Sequence, residues 1–342
     1  MEAKNGQLRK NLSRTEVIKG TVNGETAWWN VSGGKVEFTD TVAKNANGWW
    51  CIRKGKVNFD FTGFAKNSNG WWYCKNGKVD FNANEVLKGT INGTSGWWYT
   101  KGGKADLSYT GIGSNSNGDW YCVNGKVDFS YTGTVTCNGV KWNVKNGAAT
   151  IAYYGYVYMS YTTTYSESNT NRTTNLKLAC KAINGTILKN GAQFDFNQVV
   201  GERTAAKGYK EATIYEGGQA VPGLGGGICQ VGTTIYLAAL YSNFKINERH
   251  QHSLMVHYCK LGYDAAISYG SKNVRFTNNS GTSIKIEATC SNGKLTMRFL
   301  APKKVSPPAV TVKCTKKNGV YTLKRYVNGV CNFTTTSDYL DD

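Results

Sequence analysis

Aromatic and apolar positions in this chain of 342 residues follow one rule up to Trp142 and another after it. In the first stretch an aromatic position recurs at Trp29, Trp50, Trp72, Trp98, Trp120 and Trp142, with steps of 21, 22, 26, 22 and 22. A unit of about 22 residues is therefore repeated six times. The clearest copies, NGWWYCKNGKVDF (Asn69 to Phe81) and NGDWYCVNGKVDFSYTG (Asn117 to Gly133), set Asn-Gly between aromatic or β-branched runs. Asn and Gly tolerate the positive φ that a type I′ turn requires at both central positions, so each unit predicts a β-hairpin. EVIKGTVNG (Glu16 to Gly24) returns as EVLKGTING (Glu85 to Gly93), an offset of 69 that Trp29 and Trp98 share. The array thus reads as two blocks of three hairpins. An isolated hairpin is marginal in water, so stacking in a β-solenoid-like superhelix is expected.

Trp28, Trp49, Trp71 and Trp97 each precede a regular Trp and, by the two-residue alternation of a strand, point to its opposite face. One member of each pair is expected in the core. The other is a ligand platform or packs between hairpins. The candidate platforms are Trp29, Trp50, Trp72, Trp98, Trp120 and Trp142.

From about Ala152 the repeat stops. Asn175, Leu176, Leu178, Ala179 and Ile183 form an amphipathic helical stripe that ends near Asn184-Gly185, and a second helix is predicted from Gln230 to about Ser242. Strand-like runs follow: HSLMVHY, DAAISYG, VRFTNN, SIKIEATC, KLTMRFL, AVTVKC, GVYTLKRYV and GVCNFTTT. The expected organisation is an all-β hairpin array over residues 1–150, then an α+β domain with a mainly antiparallel sheet over 151–342.

The formal charge of +19 comes from both halves, with 19 basic and 11 acidic residues in 1–150 and 22 and 11 in 151–342. Such a surface favours polyanions. No recognition helix, zinc finger or RNA-binding signature is present, which sets nucleic acid behind anionic lipid or an anionic wall polymer. No stretch approaches the roughly 18 apolar residues of a membrane span, and no signal-type run follows Met1. KNGQLRKNLSRTEV reads like the middle of a repeat array, so a fragment lacking its export signal is expected. The ten cysteines include no CxxC pair, which excludes zinc-ribbon and thioredoxin readings and leaves most as buried apolar residues on strands.

Candidate chemistry lies in VPGLGGGICQ (Val221 to Gln230). Cys229 sits where a glycine-rich turn feeds a helix N-terminus, whose free amides and dipole favour the thiolate. Gly225, Gly226 and Gly227 allow amides to approach a bound carbonyl, as an oxyanion hole requires; an inert thiol in a tight structural turn is the alternative. His250, His252 and His257 cluster in ERHQHSLMVHY, and on one strand they cannot all face a single metal. His252 is the candidate base for Cys229. Arg203 and Arg249 are candidate carboxylate clamps or structural ion-pair partners. Asp264 either orients His252 or organises its own turn, and Tyr209 is a substrate contact or a core aromatic.

The GWWY and NGK elements of residues 16–148 resemble the choline- and glucan-binding repeats of Gram-positive surface proteins. That resemblance implies aromatic cages for quaternary ammonium groups or stacking on sugar rings. The second strand reads KVDFSYTG rather than the pattern typical of choline binders, which favours a wall glycan or anionic wall polymer as partner. Residues from about 155 to 340 resemble the VanW family through NRTTNLKLA, Gly201 to Arg203, Gly208-Tyr209, GGGICQV, Thr233-Thr234, Glu248-Arg249, His252-Ser253 and Gly262-x-Asp264-Ala265. The resemblance implies L,D-transpeptidase chemistry on peptidoglycan stem peptides outside the cell, without cofactor or metal. It makes Cys229 the nucleophile and His252 the base, with Asp264 the candidate third group. Gly226, Gly227, Arg203, Arg249, Tyr209 and Ser253 are the oxyanion or substrate-binding candidates. A stem-peptide carboxypeptidase and a non-catalytic wall-binding protein are the alternatives. Gly232 departs from the family, which usually has Ser there.

Overall fold

The structure, a computed structural model, describes residues 2–4, 7–8, 15–216 and 218–340. Met1, on which the expectation of a missing export signal bears, lies outside them. The chain divides into two compact units, Met1–Ala152 and Tyr153–Asp342.

The first unit is a run of antiparallel hairpins in one sheet. Six long hairpins pair Glu16–Val22 with Glu25–Ser32, Thr41–Asn45 with Gly48–Arg53, Gly63–Asn67 with Gly70–Lys75, Val86–Ile91 with Thr94–Lys101, Gly111–Asn115 with Gly118–Val123, and Gly133–Cys137 with Val140–Lys145. The Asn-Gly turns follow these hairpins as well as closing some of them: Asn76 and Gly77, at φ 49° and 76°, reverse the chain into the short strand Lys78–Val79. Such short return strands tie the array together, because each pairs with the hairpin before it. Lys56, Lys78, Lys104 and Lys126 stand opposite Trp29, Trp50, Trp72 and Trp98. Apolar faces close between neighbours, as where Val42 and Cys51 meet Ala65, Cys74 and Val79.

The 69-residue offset has a structural counterpart. The indole N–H groups of Trp29 and Trp98 donate to the Gly20 and Gly89 carbonyls at 3.0 and 3.1 Å. Those of Trp50, Trp72 and Trp120 donate instead to Asn45, Asn67 and Asn115 side chains at 2.9 to 3.0 Å. Trp29 and Trp98 are consequently buried, at 3% and 7% exposure, and offer no platform, which corrects their assignment as ligand-binding residues. Trp50, Trp72, Trp120 and Trp142 are half-buried.

The second unit is α+β. Helix α1 (Thr170–Ile183), capped by the Asn169 side chain, and helix α3 (Ile228–Tyr241) pack together on a four-stranded antiparallel sheet, with a short α2 (Phe196–Val200) between them in sequence. The sheet runs in the order Tyr156–Thr164, Lys294–Ala301, Ile284–Ser291, Ile187–Leu188. A three-stranded sheet (Gln193–Asp195, Arg275–Thr277, Lys245–Glu248), the hairpin Glu211–Glu216 with Gln219–Leu224, and the C-terminal meander Val310–Lys317, Val320–Val327, Val330–Ser337 complete it. Tyr236, Phe244, Phe276 and Phe299 sit at the centre of its core. HSLMVHY and DAAISYG are irregular rather than strands. Their backbone groups are satisfied elsewhere: the Asp264 carboxylate takes the His252 amide, and the His250 carbonyl takes the Ala266 amide. All ten cysteines are free, and only Cys51, Cys74, Cys122 and Cys180 are buried, fewer than expected.

Candidate active site

Cys229 occupies the second position of α3, directly after the turn Gly225–Gly227. Each glycine there has a steric cause. Gly225 and Gly227 adopt φ of 78° and 103°, and a Cβ on Gly226 would lie 2.5 Å from the Ala212 backbone. The Ile228 and Gln230 amides bond to the Gly225 and Gly227 carbonyls, while those of Gly226, Gly227 and Cys229 have no hydrogen-bond partner among the described residues. Asn175 of α1 clamps the turn by donating to the Gly226 and Lys210 carbonyls at 3.0 and 2.9 Å, while its own carbonyl accepts the Lys210 amide at 2.8 Å.

The segment Asp264 to Ile267 lies against the first turns of α3. The Thr233 hydroxyl accepts the Ala265 amide at 2.9 Å and donates to the Ala265 carbonyl at 3.2 Å. Ile267 donates its amide to the Cys229 sulfur at 3.3 Å. Gly232 makes this approach possible: a Cβ there would fall 2.5 Å from Ile267 Cγ1, so the departure from Ser leaves room for the Ile267 side chain.

His252 joins the two elements. The Cys229 thiol donates to the Ile267 carbonyl at 3.4 Å, and the His252 ring, whose Nδ1 lies 2.7 Å from Asp264 Oδ2, stands close enough to act on the sulfur. Tyr258 Oη is 3.4 Å from Nε2. Asp264 is fully buried and accepts four hydrogen bonds, from the His252 amide and ring, Arg249 Nη2 at 3.1 Å and Tyr339 Oη at 2.5 Å.

The electrostatics follow from that geometry. Burial works against charge on all three groups. At Asp264 the His252 and Arg249 contacts outweigh it and hold the carboxyl at about 2. At His252 the bonds to Asp264 and Cys229 outweigh it and push the imidazolium up to about 9. Burial alone would raise the Cys229 thiol, yet the His252 hydrogen bond and charge, the Ile267 amide and the Arg203 guanidinium together hold it below its ordinary value. These contacts shift the groups toward a thiolate–imidazolium pair oriented by a buried carboxylate.

Other sequence candidates are placed differently. Arg249 is committed to Asp264, the Thr336 carbonyl and the Ser337 hydroxyl, with its side chain 3% exposed, so it is a structural ion-pair partner and not a substrate clamp. Tyr209 is a core residue, and Ser253 enters through its backbone carbonyl, which accepts the Leu340 amide. The histidines diverge: His250 bonds Glu248 at 2.8 Å and His257 is exposed. Among the described residues no group of three or more His, Cys, Asp or Glu is arranged to hold a metal.

Arg203 lies close enough for its charge to act on Cys229, and so does Arg172, which sequence reasoning missed. Arg172 donates to Gln230 at 2.6 Å and Arg203 to Asn197 and the Gly201 carbonyl, and neither has a carboxylate partner among the described residues. Arg172 and Asn175 both lie in the NRTTNLKLA run, whose order was the available signal.

Comparison with known proteins agrees with these features. Residues 171–300 match the family described as VanW like protein, and residues 38–58, 60–80, 108–128 and 130–148 match the choline-binding repeat. The chain is 39% identical over 135 residues to the uncharacterized protein YoaR of Bacillus subtilis, covering 40% of this chain and 45% of that protein. It is 27% identical over 139 residues to the vancomycin B-type resistance protein VanW of Enterococcus faecalis, covering 39% of this chain and 50% of that one. The chain thus spans about half the length of these relatives. Residues 171–300 form a VanW-like domain, preceded between residues 38 and 148 by choline-binding repeats.

Proposed function

We propose that the second unit is a cysteine acyltransferase acting on peptidoglycan stem peptides, of the L,D-transpeptidase type, in a cell-surface protein that the repeats attach to a wall polymer. The observation that carries this reading is the Cys229, His252 and Asp264 alignment at the head of α3, beside amides with no other partner. The choline-binding repeats and the VanW relatives support the surface location, and among the described residues no helix is long and apolar enough to cross a membrane.

In this scheme the Cys229 thiolate attacks the carbonyl between the L-centre of a diamino acid and the terminal D-alanine of a tetrapeptide stem. The negative charge that develops on the carbonyl oxygen is met by the Gly226, Gly227 and Cys229 amides. The His252 imidazolium gives its proton to the departing D-alanine amine as the peptide bond breaks, leaving a thioester on Cys229. The side-chain amine of a second stem then attacks the thioester and yields its proton to His252. The thiolate departs, and a 3–3 cross-link remains. Arg172 and Arg203 are suited to hold the D-alanine carboxylate, because both are charged and lack a carboxylate partner among the described residues. Water in place of the amine makes the same site a carboxypeptidase.

Mass spectrometry of tetrapeptide muropeptides incubated with the protein and with Cys229→Ala tests the scheme. Cross-linked dimers that require Cys229 are expected. Free D-alanine without dimers would assign hydrolysis, and unchanged muropeptides from folded, wall-binding protein would leave a binding module.

A further inference from the structure

The repeats carry a feature that choline binding does not account for: the protein's own lysines cover its tryptophan rings. Lys44 Nζ lies 5.5 Å from the Trp49 ring centroid and Lys78 Nζ 5.5 Å from that of Trp50. In the next hairpin Lys66 and Lys104 stand over Trp71 and Trp72 at 5.8 and 5.9 Å. An ammonium over an indole face occupies the position a quaternary ammonium ligand would need. The arrangement is built into the sequence. A Cβ on Gly48 would lie 2.6 Å from Lys78 Cε, and one on Gly70 2.7 Å from Lys104 Cε, so the glycine of each NGWW makes room for the lysine that follows the turn of the next unit, Asn76-Gly77 or Gly102-Gly103. At the end of the series Ala148 stands opposite Trp120, and nothing lies within 4 Å of a Cβ on Gly118.

We propose that the hairpins around Trp49-Trp50 and Trp71-Trp72 bind a phosphate-bearing sugar or alditol polymer and not a quaternary ammonium group. This deepens the wall-polymer reading of the repeats and is independent of the chemistry at Cys229. Lys44, Lys66, Lys78 and Lys104 are exposed and have no carboxylate partner among the described residues, whereas Lys56 is paired with Glu25 at 2.7 Å. Phe59 and Phe81, 46% and 47% exposed, stand edge-on to Trp50 and Trp72 and offer flat apolar faces beside the charges. Lys78, Phe59 and Trp50 line a groove of about 200 Å³ with Trp28 and Asn45. Lys104 lines a second, of about 480 Å³, with Trp71 and Leu107. All four cations are lysines, point charges suited to phosphate, where a planar carboxylate favours the arginine fork.

The test titrates the full chain with poly(glycerol phosphate), dextran, polygalacturonate and choline chloride, followed by calorimetry. Poly(glycerol phosphate) is expected to bind most tightly, to weaken steeply with salt, and to remain bound in excess choline. The double variant Lys78→Gln/Lys104→Gln, which keeps the length of both stems, should bind it about tenfold or more weakly. Lys78→Ala/Lys104→Ala, which bares two rings, should bind choline more tightly than the unaltered chain. Equal affinity in the Gln variant, tighter binding of dextran or polygalacturonate, or displacement by choline would each overturn the proposal. Loss of transpeptidation in Cys229→Ala would leave this result unaffected.

Discussion

His252→Gln isolates the source of Cys229 reactivity. In the folded protein His252 remains protonated up to about 9 and acts on the thiol, while burial presses in the opposite direction on both groups. Glutamine retains a polar side chain of similar reach and removes the charge. A hydrogen bond to a charged group contributes about 1.5–3 kcal/mol. At about 1.36 kcal/mol per pKa unit, the thiolate population at pH 7 should fall about ten- to hundredfold. The assay is iodoacetamide labelling across pH 5 to 10, with the Cys229 peptide quantified by mass spectrometry so that exposed Cys331 does not contribute. The unaltered protein should label faster than the variant throughout neutral pH, since the imidazolium beside the sulfur favours the thiolate. The variant should label appreciably only in alkali. Equal Cys229 labelling of the two proteins at pH 7 would refute the ion-pair argument. Stability carries a matching signature. The folded His252 value of about 9 lies above 6.5, so the stability gained from its partners is complete below pH 6.5 and is lost as pH rises through 9. Asp264, held at about 2 against 3.8, contributes above pH 3.8 and loses its contribution as pH falls through 2.

Asp264→Ala strands the buried Arg249 guanidinium as well as the His252 ring and should cost about 3–5 kcal/mol, read from urea unfolding. Gly226→Ala drives a methyl into the Ala212 backbone; thiol labelling together with the melting temperature should show a displaced turn and a destabilised domain. If Arg172 holds the stem carboxylate, Arg172→Gln should raise KM about tenfold or more for tetrapeptides with a free C-terminus and leave their C-terminal amides unaffected, as measured by D-alanine or D-alaninamide release.

The hairpin array was legible because its determinants are local: Asn-Gly turns and two-residue alternation lie within each unit. What escaped was the partner of each Trp, since the lysine opposite Trp50 is 28 residues away, at Lys78, and no within-unit period reports it. The helices α1 and α3 followed from their apolar stripes, whereas Glu211–Glu216 with Gln219–Leu224, and Tyr156–Thr164, went unnoticed because their polar and aromatic residues carry little alternation. In the site, Cys229 announced itself through the glycines before a helix, and His252 through its cluster. The four bonds that lock Asp264 come from Arg249, Tyr339 and His252, as many as 75 residues away, and depend on chain irregularity that HSLMVHY conceals beneath a strand-like pattern.

The lysines over Trp50 and Trp72 arrive with the following hairpin, and that fixes an order in time. As the chain emerges from its N-terminus, Trp50 stays bare until Lys78 is out, and Trp72 until Lys104. A partly synthesised array therefore ends in one uncovered indole, a growing tip that moves forward as synthesis proceeds. At Trp120 the succession stops, because Ala148 brings no ammonium. A chain cut after an earlier hairpin would carry its bare ring at Trp50 or Trp72, where the whole chain carries it at Trp120.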